Sequence, residues 1–320
     1  MEQAVFGLGE EGCRRRETPD LPQWVSGLVD VEGAPWREAG AGLSVRAVVN
    51  DRFTLASVAC REAVRLDEAT FHRCTAEAYR LLADELEGGC TGHLVRVWNF
   101  IPEILAPLGS LPQRYMVFNA GRFSAYEDWY RGRESFDRQV ATASGVGHLG
   151  SDFLIHGLAS AAAGIPVENP RQTPSYRYSS RYGPLPPCFA RATRVRVDPA
   201  RSPWLLVGGT ASVRGEETVF PGDLEAQAEE TLCNLAAVVA AGLGIPAPND
   251  HGSGADLLAR YRHLRVYYVH AEHEQEVARL IERPFADAEV ELVRADLCRG
   301  DLLIEIEGVA ELTPRLAPAG

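Results

Sequence analysis

"DEATFHRCTAEAYRLLADELEGG", residues 67–89, and "HLVRVWNFI", residues 93–101, decide how the chain is built. The first stretch opens on acidic residues and spaces Phe71, Cys74, Ala78, Leu82 and Leu86 at helical intervals. Two glycines end it, so it predicts an amphipathic helix. The second stretch is β-prone and predicts a strand. Upstream, "LSVRAVVNDRFTLASV" (43–58) reads as one or two strands; downstream, a second amphipathic helix is expected near 113–132. Strand, helix, strand and helix in that order make the first half an α+β unit. Residues 1–40 show no period and read as loops or a loosely packed lead-in.

The second half repeats this grammar. Strands are expected at 152–158, 188–197 and 204–209. A long helix follows at 222–243, placed just after Pro221 and before the stop "AAGLG". A strand "LRVYYVHA" (264–271), a short helix at 272–283, and strands at 289–294 and 302–307 complete it. Two successive units of similar element order predict an α+β chain of two related domains, with mixed sheets packed against long helices. The domains are expected at 1–145 and 146–320, the second carrying most of the active site.

Composition narrows the chemistry. The chain has 320 residues and a formal charge of −12, which argues against a nucleic-acid partner. Local arginine clusters still allow an anionic small molecule. Seven cysteines, an odd number without CxxC spacing, argue against a disulfide framework or a zinc cluster and for a reducing, cytoplasmic setting. The N-terminus lacks the apolar core of a signal peptide, and the run 232–247 is too short to span a bilayer, so no membrane association is expected.

Several local motifs dissolve on inspection. "GVGHLG" (145–150) fits the dinucleotide fingerprint, but it follows a helix tail or loop rather than a strand, so it reads as a glycine turn. His270 and His273 lack a third ligand at workable spacing, so no metal is expected. Cys298 sits among apolar neighbours and reads as a packed thiol. Two stretches carry more. In "DLCRGDLLIEIEG" (296–308), alternation puts Leu302, Ile304 and Ile306 on one face and Leu303, Glu305 and Glu307 on the other. A carboxylate buried there would be a proton donor near neutral pH, and on an exposed edge strand it would be inert. "ENPRQTPSYRYSSRYGPLPP" (168–187) carries Arg171, Arg177 and Arg181 among tyrosines and prolines. That is either an exposed loop or a stiffened wall for a flat dicarboxylate.

Five stretches carry a resemblance: "VWNFIPEI" (97–104), "FNAGR" (118–122), "ENPRQTPSYRYSSRYGP" (168–184), "GGTASVRGEETVFPGD" (208–223) and "ADLCRGDLLIEIEG" (295–308). In this order, and over residues 95–310, the chain resembles the chorismatases, while 1–90 match poorly. The resemblance implies two units similar to reactive-intermediate deaminases and small chorismate mutases. It also implies cofactor-independent release of pyruvate from chorismate. By the same resemblance Glu305 is the catalytic acid, Arg122 and Arg299 bind carboxylates, and Tyr176, Tyr178 and Tyr182 line the pocket. Ala211 and Cys298 fall where product classes diverge.

The chain departs from the family pattern in three places. An Asn is missing from "EILAPLGSL" (103–111), Glu216 replaces a His, and Ser180 replaces a basic residue. These losses suggest a less hydrated pocket and lean towards 3-hydroxybenzoate. The diol, 4-hydroxybenzoate and an aminodeoxychorismate substrate stay open, as do an enamine or imine hydrolase, a non-catalytic aromatic-acid binder, and the choice of monomer or homotrimer.

Overall fold

The computed structural model describes residues 14–16, 20–30, 33–87, 92–196, 202–248 and 254–313. The glycine stop at 88–89, the reading of the extreme N-terminus, Cys13 and Cys90 lie outside these residues. The chain begins with an edge strand β1 (Arg14–Arg16) and a one-turn helix α1 (Gln23–Ser26). Strands β2 (Arg37–Gly40), β3 (Leu43–Val49) and β4 (Phe53–Cys60) lead into helix α2 (Glu68–Glu87). Strand β5 (His93–Pro102), helix α3 (Arg114–Trp129), the short α4 (Phe136–Gln139), β6 (Thr142–His148) and β7 (Phe153–Ser160) follow.

These elements build a mixed sheet in the order β2-β3-β4-β7-β5-β6. Its alternation fixes two faces. Ala56, Val58 and Cys60 of β4 face α2 and α3, whereas Phe53 and Leu55 face the other way. Helices α2 and α3 touch at Gly121, where a Cβ would lie 2.7 Å from the His72 carbonyl; any side chain there would push the helices apart.

The second unit opens with β8 (Ile165–Val167), β9 (Ala192–Val195) and β10 (Trp204–Ala211), then a hairpin of β11 (Val213–Arg214) and β12 (Glu217–Thr218). Helix α5 (Leu224–Leu243) is capped at its start by the Asp223 carboxylate, which accepts from the Ala226 N–H at 3.0 Å. It stops at Gly244, which takes the left-handed conformation at φ +71°. Short α6 (Ala255–Leu258), β13 (Tyr261–Tyr268), α7 (Glu274–Glu282), β14 (Glu289–Arg294) and β15 (Ile304–Glu311) complete the unit. Its sheet runs β1-β14-β13-β15-β10-β9-β8, with α5 and α7 packed on its outer face.

The inner faces of the two sheets pack against each other. Trp98, Phe100 and Val146 from one sheet meet Leu206, Tyr267 and Val309 from the other in a single apolar layer. The α+β class and the two units of mixed sheet and long helix are therefore as expected. Four local expectations differ. The lead-in is not loose: Trp24 and Val25 of α1 join the layer between the sheets, with Trp24 and Trp98 rings 5.7 Å apart. "GVGH" is strand β6, not a turn. Gly147 is there because a Cβ would strike Asp296 at 2.9 Å, where its N–H donates to the Asp296 carbonyl. The boundary at 145/146 would cut β6, and β7 sits between β4 and β5; the chain changes sheets between Ser160 and Ile165. Finally, Cys60 at the end of β4 and Cys74 on α2 form a disulfide, because their elements pack face to face. It is one local staple rather than a framework. Among the described residues no helix is long and apolar enough to cross a membrane.

Candidate active site

Where the sheets meet, β10 bulges at Gly208 and Gly209 between its pairings through Val207 and Thr210. The bulge makes room beside β15. A Cβ on Gly209 would fall 1.9 Å from Glu305 Oε1, so only glycine leaves space for that carboxyl. Strand β15 is interior, with β13 on one side and β10 on the other, which removes the edge-strand reading of Glu305. Ile304 and Ile306 point to α5, and Glu305 and Glu307 point into the layer between the sheets.

Glu305 is 5% exposed. Burial, and next the negative charge of Glu307, push its carboxyl up to about 8, against the opposing pull of Arg96, Arg191 and Arg299. It is a neutral acid near pH 7. Glu305 borders a cavity of about 70 Å³ lined by residues of both units. Tyr115 and Arg122 of α3 and Ala143, Ser144 and Gly145 of β6 form one wall. Tyr178, Tyr182, Arg191, Ala211, Cys298 and Arg299 form the other.

Three guanidinium groups line this cavity. Arg122, 1% exposed, donates to Asn119 Oδ1 at 2.9 Å and stacks 4.8 Å over Phe118. Arg191 donates to the Thr173 carbonyl at 2.9 Å and the Tyr178 hydroxyl at 2.6 Å. Among the described residues the Nε groups of both are buried without a hydrogen-bond partner. Arg299 lies 4.2 Å over the Tyr182 ring and donates to the Glu216 carbonyl at 2.8 Å. Burial, and next the charge of Glu305, raise the Cys298 thiol to about 12, so it stays uncharged.

The roof is a strap held by the β11–β12 hairpin. Glu216 accepts from the Ser179 N–H at 2.8 Å and from its hydroxyl at 2.6 Å. Arg181 pairs with Glu217 at 2.5 Å, and the Tyr182 hydroxyl donates to the Glu216 carbonyl. The Glu that replaces the family's His therefore binds the strap.

Seven of the eight expected residues meet in this cavity: Glu305, Arg122, Arg299, Tyr178, Tyr182, Ala211 and Cys298. Tyr176 does not. The 3-10 turn at Ser175–Arg177 rotates it away from Tyr178, and its ring packs edge-on to Phe136, 6.4 Å off, beside a separate hollow. The first unit supplies one wall, and the rest of the lining, Glu305 included, comes from beyond residue 145. Sequence reading missed Arg191, Gln172, Tyr115 and Ser144. A lone arginine two residues after Phe189 was the one available signal for Arg191. His270 and His273 pack against each other, their rings edge to face at 5.1 Å.

Comparison with known proteins identifies the class. Residues 34–159 match the family model of the N-terminal domain of FkbO/Hyg5-like chorismatases. The match reaches well upstream of residue 95, where the motifs began, so the segment from residue 34 belongs to the resemblance after all. A 3-hydroxybenzoate synthase from Streptomyces hygroscopicus is 36% identical over 244 residues, 75% of this chain and 69% of the relative. A chorismatase from Streptomyces rapamycinicus is 36% identical over 240 residues, 73% of this chain and 69% of its own length. A chorismatase crystal structure superposes with a TM-score of 0.72 and 28% identity, over 85% of this chain and 78% of that one. The chain belongs to the chorismatase family.

Proposed function

We propose that the chain cleaves the enolpyruvyl ether of chorismate to pyruvate and 3-hydroxybenzoate, with Glu305 as the acid. One observation carries the reading: a buried, protonated carboxyl borders a cavity that Arg122, Arg191 and Arg299 also line. An enol ether is stable until its methylene carbon is protonated. Glu305 delivers that proton and the side chain becomes an oxocarbenium ion. The neighbouring ring hydroxyl then displaces the side chain, which leaves as pyruvate, and the resulting epoxide opens to the aromatic product. The hydroxyl's proton balances the one Glu305 gave, so no water is consumed.

Arg122, Arg191 and Arg299 hold the carboxylates, and their forks fix a flat dianion in one orientation. Ala211 and the uncharged Cys298 offer no strong partner to a water beside the ring, which favours attack by the ring hydroxyl over hydrolysis. We also place the protein in the cytoplasm; Cys188 and Cys298 keep their thiols, although Cys60 and Cys74 are joined.

The test is incubation with chorismate labelled by oxygen-18 at the ring hydroxyl, with chelator present and no nucleotide added. Pyruvate and labelled 3-hydroxybenzoate are expected. A dihydroxycyclohexadienoate product would refute the ring-hydroxyl step, and no pyruvate at all would refute the activity.

A further inference from the structure

Behind the acid lies a second buried carboxylate. Glu307 stands two residues beyond Glu305 on the same face of β15 and is 2% exposed. It accepts from Arg96 at 2.8 Å and from the Trp98 indole N–H at 2.9 Å, both on β5 of the other sheet. Arg96 is itself 1% exposed, and it also donates to the Ser144 hydroxyl and the Val97 carbonyl, each at 2.6 Å. Ser144 in turn accepts from the Gly209 N–H at 2.9 Å, the glycine against which the Glu305 carboxyl rests. One continuous path therefore runs from Glu307 through Arg96 and Ser144 to the seat of Glu305.

A buried ion pair of this kind is a poor stabiliser: desolvation consumes most of its Coulombic gain. Its placement suits another task. We infer that Glu307, clamped by Arg96 and Trp98, is a positioning residue that keeps the Glu305 acid protonated and directed into the cavity. The inference rests on reading Glu305 as the proton donor. Two donors hold the Glu307 carboxylate in place, and its charge resists a second negative charge on the same strand face. Arg96 opposes this, but it is spent on Glu307 and Ser144.

Other groups also face Glu305. Arg191 and Arg299 approach from the pocket walls and favour the ionised form. Tyr115 of α3 and Cys298 border it as neutral groups. Tyr267 is its partner in register on β13, and Arg265 nearby is taken up by Glu291 at 2.7 Å. With three cations near the acid, Glu307 is the nearby anion that holds the proton in place.

The pH dependence of kcat tests this, because activity is lost as pH rises through the ionisation of the acid. Glu307→Gln removes the anion and strands Arg96, so the alkaline limb should move down by about one pH unit or more. Arg96→Met removes the opposing cation, so the limb should move up. Glu307→Asp keeps the charge and should leave the limb in place. Opposite shifts are a signature that a packing defect cannot mimic, since a merely structural role lowers kcat at every pH. A limb unmoved in Glu307→Gln, or both single variants shifting the same way, would overturn the inference. Arg96→Met decides alone if Glu307→Gln does not fold. Glu305→Gln keeps the two readings apart: if it still turns over, the acid is misassigned; if it is dead while the limb ignores Glu307, only the present inference fails.

Discussion

Replacing Glu305 by Gln should make the protein more stable and the enzyme nearly inactive, and the size of the first effect follows from burial. In the unfolded chain the carboxyl ionises near its ordinary value of 4.5, and in the folded chain only at about 8. Folding at neutral pH therefore forces it to take up a proton. A group whose folded value is raised contributes its full stability below the unfolded value, and that contribution drains away as pH rises through the folded one. The window is about pH 4.5 to 8. At about 1.4 kcal/mol per unit, the loss reaches roughly 3 kcal/mol by pH 7 and roughly 4 kcal/mol by pH 8. Gln cannot ionise and escapes it.

Denaturant melts of both proteins should therefore give similar stabilities at pH 4.5 and a gap that widens with pH in favour of Glu305→Gln. Over the same range pyruvate release by the variant should be down by roughly 100-fold or more. A constant gap between pH 5 and 8 would mean that Glu305 is ionised in the folded protein, and the acid mechanism would fall with it.

Two further outcomes follow from the pocket walls. Arg191→Lys keeps the charge but loses the fork that reaches Tyr178 and Thr173, so KM for chorismate should rise roughly 10- to 100-fold with a smaller change in kcat; an unchanged KM would remove Arg191 from the anion site. Tyr176→Phe should leave KM and kcat within about twofold, because the ring packs against Phe136 outside the cavity; a large rise in KM would restore it to the pocket.

The sequence made the regular elements readable and hid the ones that depend on distant partners. Helix α5 was legible to within two residues because Pro221, the Asp223 cap and Gly244 punctuate it locally. The chain's lead-in had no such marks; α1 is one turn long and is ordered by Trp98, far along the sequence. The same applies to the boundary. Nothing within 142–160 says that β7 inserts between β4 and β5, since that pairing is set by residues 54 to 107 positions earlier. In the site, alternation alone put Glu305 and Glu307 on one face, but it left open whether that face was wet. The answer came from β10 and β13 on either side. Arg96, which pairs with Glu307, lies 211 residues away from it.

The roof has a consequence for traffic. A cavity of about 70 Å³ is well below the roughly 300 Å³ or more of ordinary ligand pockets, too little for a cyclohexadiene with its enolpyruvyl arm. Substrate entry is therefore expected to displace the strap at 179–182. Its fastenings from Ser179 to Glu216 and from Arg181 to Glu217 are solvent-exposed, and bonds of that kind hold weakly. Chorismate enters through a door whose latch is on the outside. Once the strap falls back, bulk water is shut out with the substrate inside.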